Sequence, residues 1–405
     1  MKKHILLNLV FIFIFHCFSY GQGTAYSGPY TDSSPIVLDG ISNKTISKLK
    51  ITNSSGHCIK LSNCSNITIQ SCKLGPSKGE GVFLSNCTNI TVTNCSMESV
   101  ESGVVADIGS GIKVIYNDVK NVQGPMPRGQ MVQFGNVTGS GNSISYNVAE
   151  NINGQSFPED AISLFMSKGT AADPIQVIGN WIRGGGPSTS GGGIMTGDEG
   201  GSYVLVQDNI LVNPGQYGIT ISSGDHITIK NNKIYSDKEP FSNIGLSAYR
   251  QYEILTTANT IMNNEVNFTN KDGVLNCLWN AGNCGDIAGW ETNMHNANLK
   301  ANILPTKIIG RAQGSVTETD IVPAESTVKI YPNPASDHLT IETSLDVKNG
   351  IVEIYNINGQ KMSEQVISEN NTGVNTGNLP SAVYIFKILS NNKTIDVRKI
   401  TIVRN

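Results

Sequence analysis

Four side chains in the middle of the chain could move a proton or hold an anion: Lys168, Tyr217, His226 and Arg250. Lysine, tyrosine and histidine each serve as a general base once their surroundings bring the pKa towards the working pH. A lysine or arginine beside them can neutralise a carboxylate and stabilise the enolate-like intermediate left when the neighbouring C–H proton departs. That combination is the chemistry of β-elimination on a uronate unit. Lys168 and Arg250 suit the cationic part; Lys168, Tyr217 or His226 suits the base. A wider set supplies hydrogen bonds, charge and an aromatic wall for binding: Arg128, Gln130, Gln133, Asp160, Arg183, Asp198, Glu199 and Tyr249. Asp160, Asp198 and Glu199, with Asp225, are also the raw material for hydrolysis by paired acids. A calcium ion on Asp198, Glu199 and Asp225 is the alternative to the cationic side chains, but these residues make no obvious cluster of enough oxygen ligands, so the expectation is no cofactor, with calcium left open.

The composition narrows the setting. The chain has 405 residues, a net charge of −3 and only 15% charged residues. It lacks the basic face that nucleic acid requires. With 39% hydrophobic residues it is also too apolar for a disordered polar chain. No segment after the N-terminus is long and apolar enough to span a membrane.

What must position the candidate residues is a repeat. Ser62-Asn63-Cys64-Ser65-Asn66-Ile67-Thr68-Ile69 returns 23 residues later as Ser85-Asn86-Cys87-Thr88-Asn89-Ile90-Thr91-Val92, and Cys72 returns as Cys95. Each unit carries short alternating strands separated by turn residues. The pattern continues with looser spacing through the strands that begin at Ile112, Ile144, Ile175, Val204 and Ile227. A leucine-rich repeat needs a leucine template and a propeller blade about 40 residues. A period near 23 predicts an all-β fold, a right-handed parallel β-helix. Asn117, Asn147, Asn180, Asn209, Asn232 and Asn264, preceded by Ser71 and Asn94, fall just after equivalent strands. Stacked at about 4.8 Å, they predict an internal amide ladder.

Aligning Val132, Ile162, Ile194, Ile219 and Ile244 as inward residues places the candidate site. Small and polar residues then face outward as a groove floor. Gln130, Asp160 and Tyr217 share one column before the strand, and Lys168, Gly200, Asp225 and Arg250 another beyond it. Extra residues between about Asp118 and Tyr235 become loops that wall the groove.

Over roughly Asn43 to Thr269 the chain resembles the pectin-lyase-like β-helix superfamily. The stretch from Glu159-Asp160 to Lys168-Gly169-Thr170, then Arg183-Gly184-Gly185-Gly186 and Gly191-Gly192-Gly193-Ile194-Met195-Thr196-Gly197-Asp198, resembles β-helical alginate lyases. That resemblance implies a lyase acting on an anionic, uronate-containing, alginate-like polysaccharide. Its relatives carry an Arg-His pair where this chain has Thr196-Gly197-Asp198. The alternatives are a glycoside hydrolase of the same fold, or a non-catalytic glycan-binding or adhesin β-helix.

The two ends differ from the middle. Residues 1–22 read as a signal peptide: Met1-Lys2-Lys3-His4, an apolar run from Ile5 to Phe15, and a small-residue exit near Gly21-Gln22. Residues 23–269 form the expected helix domain and 270–325 a capping segment and linker, where Cys277 and Cys284 are spaced for a disulfide. Cys58, Cys64, Cys72, Cys87 and Cys95 read as buried corner fillers. Residues 326–405 alternate strands and turns at about ten-residue spacing, which predicts a small β-sandwich. Their succession of Tyr331-Pro332-Asn333-Pro334, Tyr355-Asn356-Ile357-Asn358-Gly359-Gln360 and Val383-Tyr384-Ile385-Phe386-Lys387-Ile388 resembles the C-terminal sorting domain of type IX secretion. That implies the type IX machinery as a partner and a secreted or cell-surface location.

Overall fold

The computed structural model describes residues 26–310, 328–343, 350–356, 360–367, 369, 371–390 and 393–404. The expected signal peptide and residues 311–325 of the expected capping segment and linker lie outside the described residues. The chain divides into two units, Met1–Gln313 and Gly314–Asn405.

The first unit is a parallel β-helix. Strands of successive coils pair in parallel and stack into three ladders. The first runs through Ile36–Asp39, Ile59–Ser62, Val132–Val137, Ile162–Phe165, Ile194–Asp198, Tyr217–Ile221, Ile244–Ala248 and Leu278–Asn280. It merges with the second, which runs from Ser42–Ser47 and Ser65–Gln70 through Ser143–Ser145, Ile175–Ile178, Ser202–Gln207 and Asp225–Lys230 to Thr260–Met262, where Val82–Thr93 and Val104–Ile115 run unbroken through the corner. The third ladder has eleven strands, from Thr31–Ser33 to Met294–His295. Alternation decides which side chains go in. Ile59, Val82, Val104, Val132, Ile162, Ile194, Ile219 and Leu246 stack in one continuous inward row and are fully buried.

The sequence-based register differs from this row at one point. Ile244 does not face Ile219; it pairs with Tyr217, and Leu246 takes the expected place. A slip of two residues preserves the in–out alternation, so hydrophobicity could not reveal it. A second departure is a bulge at Gly197, which pairs Phe165 with Asp198. Gly197 has φ +70, and a β-carbon there would collide with the Ser223 carbonyl, so only glycine fits.

The amide ladder is present. Nδ2 of Asn117, Asn147, Asn180, Asn209 and Asn232 donates to Oδ1 of the next asparagine at 3.0, 3.1, 2.9, 2.9 and 2.8 Å. Asn264 extends the row to Asn293 at 2.7 Å. Each amide also donates to a buried backbone carbonyl, as Asn180 does to Ile144 at 2.9 Å. The upstream members are not Ser71 and Asn94, which occupy left-handed turn positions with φ 55 and 52. They are Cys72 and Cys95: the Cys95 N–H donates to Asn117 Oδ1 and the Cys72 N–H to Cys95 Sγ. A separate, exposed ladder joins Asn89, Asn66 and Asn43 at 3.1 Å per step.

The coils continue past residue 269. Leu278 pairs with Leu246, and Leu304 and Ile308 pack on Val148 and Val212. Cys277 and Cys284 are both free thiols, so the expected disulfide is absent from the structure. The five repeat cysteines are buried, as expected.

The second unit pairs a three-stranded antiparallel sheet (Lys329–Tyr331, His338–Glu342, Asn371–Asn375) with a four-stranded one (Lys361–Ile367, Gly350–Asn356, Ala382–Ser390, Lys393–Ile402). Ile341, Val352, Val374, Phe386 and Ile388 fill the core between them, a small β-sandwich.

The two asparagine ladders should respond differently to truncation. Asn180→Ala strips partners from Ile144 O and Asn147 inside a dry corner and should cost about 2–4 kcal/mol. Asn66→Ala, on the wet ladder, should cost less than about 1 kcal/mol. Denaturant unfolding of the two variants checks this, and the opposite order would refute the buried ladder as the stronger staple.

Candidate functional site

The outward face of the first ladder is a shallow floor. One column reads Phe83, Val105, Gln133, Ser163, Met195, Thr220, Ser247 and Trp279. Apart from Met195, its middle is small or polar. Ser247 Oγ donates to Thr220 Oγ1 at 2.7 Å, and Gln133 Oε1 accepts from Arg128 Nη1 at 2.9 Å.

Along the edge where coils enter the floor, Asp160 and Tyr217 meet as the shared column predicted. They are two coils apart, and the coil between presents Gly192. A β-carbon on Gly192 would lie 2.6 Å from the Tyr217 ring, so the glycine opens the path for the ring across its coil. The Tyr217 hydroxyl donates to Asp160 Oδ1, and the Gly192 N–H donates to the same oxygen at 3.0 Å. Asp160 is 9% exposed and Tyr217 5%. Met195, Tyr217 and Ile244 form a small apolar patch over this edge, separate from the main core. Burial pushes the Asp160 carboxyl up to about 7; the Tyr217 hydroxyl and Gly192 N–H pull it down, and the Glu159 and Asp198 charges push it up. The Tyr217 phenol is driven well above its usual range by burial and by Asp160. It is a donor locked onto a carboxyl, not an available base.

A second carboxyl–tyrosine pair lies one coil on, at the opposite end of the floor strand Ile194–Asp198. Tyr252 Oη donates to Asp198 Oδ1 at 3.0 Å. Burial raises Asp198, the Tyr252 bond lowers it, and neighbouring Glu199 raises it. The charges of both acids act on Tyr249: burial, then Asp198, then Asp160 raise its phenol. Asp160 and Asp198 thus stand at opposite ends of the floor strands, one on each side of the groove, with Glu199 next to Asp198 and Glu159, which accepts from Ser190 Oγ at 2.5 Å, next to Asp160.

The cationic residues do not join it. Lys168 bridges Thr138 and Ser202 through its backbone at the opposite edge of the floor; its side chain is exposed and makes no ion pair among the described residues. It is level with Asp225, as expected, but with Ser202 rather than Gly200. His226 projects from the second ladder, bonded to Asp225 at 2.6 Å and stacked on Tyr203 at 4.7 Å. The strand Tyr217–Ile221 puts four residue steps, roughly 13 Å, between Tyr217 and that end of the floor. Arg250 is not level with Lys168: His226 N bonds Thr257 O, so the intervening loop carries Arg250 away to Glu253 at 3.6 Å. The expected convergence of Lys168, Tyr217, His226 and Arg250 is therefore corrected by the lengths of the coils.

Two binding candidates are also corrected. Gln130 is 3% exposed and spends its amide on Ser102 and Pro127. Arg183 lies on the third ladder, bonded to Glu150 at 3.3 Å and to the Pro305 and Thr306 carbonyls, so it clamps the returning segment. Arg128 stands at the groove edge, with Nε on Glu80 Oε1 at 2.9 Å.

Several groups escaped the sequence reading: His57, Glu80, Phe83, Tyr252 and Trp279. Extending the alignment would have found three of them. Glu80 precedes Val82 by two residues, as Asp160 precedes Ile162, and Phe83 and Trp279 occupy the outward phase. A cleft of about 1210 Å³ opens beside Pro35, Pro76, Pro125 and Phe157, and none of the sequence-predicted site residues lines it. Among the described residues, no three His, Cys, Asp or Glu side chains come together as a metal site.

Comparison with known proteins adds the following. Residues 34–199 match the family model of the right handed beta helix region, and residues 329–403 match that of the secretion system C-terminal sorting domain. No curated protein matches the chain. Among solved structures, the catalytic domain of a GH87 alpha-1,3-glucanase in complex with nigerose is 14% identical with a TM-score of 0.46, over 63% of this chain and 50% of that one. A tailspike protein gp49 from Acinetobacter baumannii bacteriophage Fri1, a capsular polysaccharide depolymerase, is 9% identical with a TM-score of 0.22, over 92% and 78%. The chain thus spans half the length of the glucanase domain.

Asp160 makes stability depend on pH. Its carboxyl holds a proton to about pH 7 when folded, whereas an unfolded aspartate releases it near 4. Between those values the native state binds more protons than the unfolded chain, so stability falls as pH rises and levels off above 7. Asp160→Asn should match the parent near pH 4 and exceed it by roughly 2–4 kcal/mol at pH 8. Denaturant melts at the two pH values check this; a pH-independent difference would contradict it.

Proposed function

We propose that the protein is an exported enzyme that hydrolyses a neutral glycan laid along the first-ladder groove, with Asp160 and Asp198 as its paired acids. The observation that carries this is the twin carboxyl–tyrosine arrangement, in which one acid is buried and held protonated towards neutrality while the other is more open. Two titratable groups in unlike environments are how one site runs acid and base chemistry together. Asp160 gives its proton to the leaving glycosidic oxygen. Asp198 takes a proton from the attacking water. Tyr217 and Tyr252 orient the carboxyls, and Ser163, Thr220 and Ser247 offer hydroxyls to the sugar.

The charge around the acids favours a neutral substrate over the uronate expected from sequence. Glu159, Asp198 and Glu199 together would repel a polyanion where it must bind closest. Lys168 supports a second reading, β-elimination, because it stands exposed beside the groove, with no ion pair among the described residues.

Export rests on the C-terminal sorting domain, which supports secretion and attachment at the cell surface through type IX machinery. The N-terminal signal peptide belongs to the same proposal.

Incubation of the full chain with neutral glucans and with uronans separates the readings. Hydrolysis yields reducing ends without ultraviolet absorbance. Asp160→Asn and Asp198→Asn should each lower the rate by about 10²–10⁴-fold, and Lys168→Ala should leave it unchanged. The alkaline limb of the rate should move upward in Tyr217→Phe, since the lost hydroxyl holds the Asp160 pKa down. Conjugated double bonds whose appearance requires Lys168 would replace hydrolysis with elimination.

A further inference from the structure

The outward column that forms the floor has an aromatic pair at each end and none in between except Phe165, which lies one position aside. At one end Phe83 stacks on His57, with ring centroids 4.9 Å apart and planes 12° from parallel. At the other Trp279 meets Tyr249 at 5.7 Å. From Phe83 to Trp279 the register makes seven steps, roughly 34 Å at about 4.8 Å per coil. Asp160 and Asp198 flank the third and fourth steps, near the midpoint.

We propose that these two pairs are sugar-stacking platforms that grip an extended neutral glycan at both ends and hold its middle over the acid pair. This deepens the hydrolytic reading and rests on it: it makes the cut internal to the chain. The C–H face of a pyranose carries slightly positive hydrogens and packs on the negative face of an aromatic ring. Such contact needs no particular hydroxyl pattern, so it suits repeated units along a polymer.

Both platforms are braced; Trp279 stands open, while Tyr249, Phe83 and His57 are half-buried. Trp279 is 49% exposed. It sits in a strand paired to Ser247, which fixes its backbone. Tyr249 is anchored by its hydroxyl on Gln251 Oε1 at 3.1 Å. At the far end His57 is fixed from beneath by Glu80, which is 2% exposed and also holds Arg128. The charged network beneath the ring prevents His57 from rotating off Phe83. Lys60 Nζ lies over the Phe83 ring, 5.9 Å from its centroid, and a bound sugar shares the ring with it or displaces it. A ring already held flat loses little freedom when a sugar lands on it.

Affinity electrophoresis of the full-length Asp198→Asn protein in gels containing dextran, pullulan, laminarin or lichenan tests this without relying on cleavage. Phe83→Ala and Trp279→Ala in that background should each weaken binding to the retarding glucan about tenfold. Met294→Ala, an exposed apolar residue on the third ladder, should bind as the parent does. Equal retardation of all three variants would overturn the platforms while leaving hydrolysis standing. Loss of retardation in the two aromatic variants, with normal cleavage by Asp160→Asn in the wild-type background, would uphold the platforms and overturn the acid pair. Failure of every glucan to retard the parent would overturn the platforms.

Discussion

Backbone hydrogen bonds between coils impose one rule on every side chain of the helix unit: a residue sits about 4.8 Å above its counterpart. Chemistry in this fold is therefore written in columns. Ile219 finds Ile194 above it and Leu246 below, and no side chain chooses its neighbours independently of the register. Residues 57 positions apart, such as Asp160 and Tyr217, meet because both stand two places before the same inward row. The same rule separates groups that lie close in sequence. Tyr217 and His226 are nine residues apart, yet the strand between them puts one at each edge of the floor.

Glu80 and Asp160 show how much the neighbours in a column decide. Both are buried carboxyls, both two places before the inward row, and burial raises both. Glu80 then receives the His57 bond and the Arg128 charge, which more than offset burial and hold it below the usual carboxylate range. Asp160 receives only neutral donors, Tyr217 and the Gly192 N–H, while Glu159 and Asp198 press on it. One position thus yields a structural anion that braces an aromatic ring and a carboxyl that keeps its proton. A cation beside Asp160 would have made it a second Glu80. The separation of Lys168 and Arg250 from this edge is consistent with its acid role.

Much of this was legible in the sequence, and the misses have a common cause. The 23-residue repeat and the asparagine row led to the fold, and the column of Gln130, Asp160 and Tyr217 was visible once inward residues were aligned. Alignment by hydrophobic phase fixes position only modulo two. It could not show that Ile244 had moved from Ile219 to Tyr217. Nor could it show how far the loop after Ala248 would carry Arg250, because loop length leaves no trace in an in–out pattern. The bulge at Gly197 was equally silent, since a glycine near a strand end reads as a turn. Trp279 was missed because residues after 269 were assigned to a cap, although the inward Leu278 beside it continued the row.

The change from cysteine to asparagine in the internal ladder follows the lengths of the coils. Steps along the inward row are 23 from Ile59 to Val82 and 22 from Val82 to Val104, and there the ladder residues are Cys72 and Cys95. Coils this tight need little added restraint, because unbroken strands such as Val82–Thr93 carry the register through the corner. Thereafter the steps are 28, 30, 32, 25, 27 and 32. Loops of varying length no longer transmit register from one strand to the next. From Asn117 onward each coil carries an amide that accepts from the backbone N–H of the coil before it and donates to a buried carbonyl. A thiol donates weakly and makes fewer such bonds. The asparagines reset the register once per coil, and that reset is what lets the loops around Asp160 and Asp198 lengthen without displacing the floor between them.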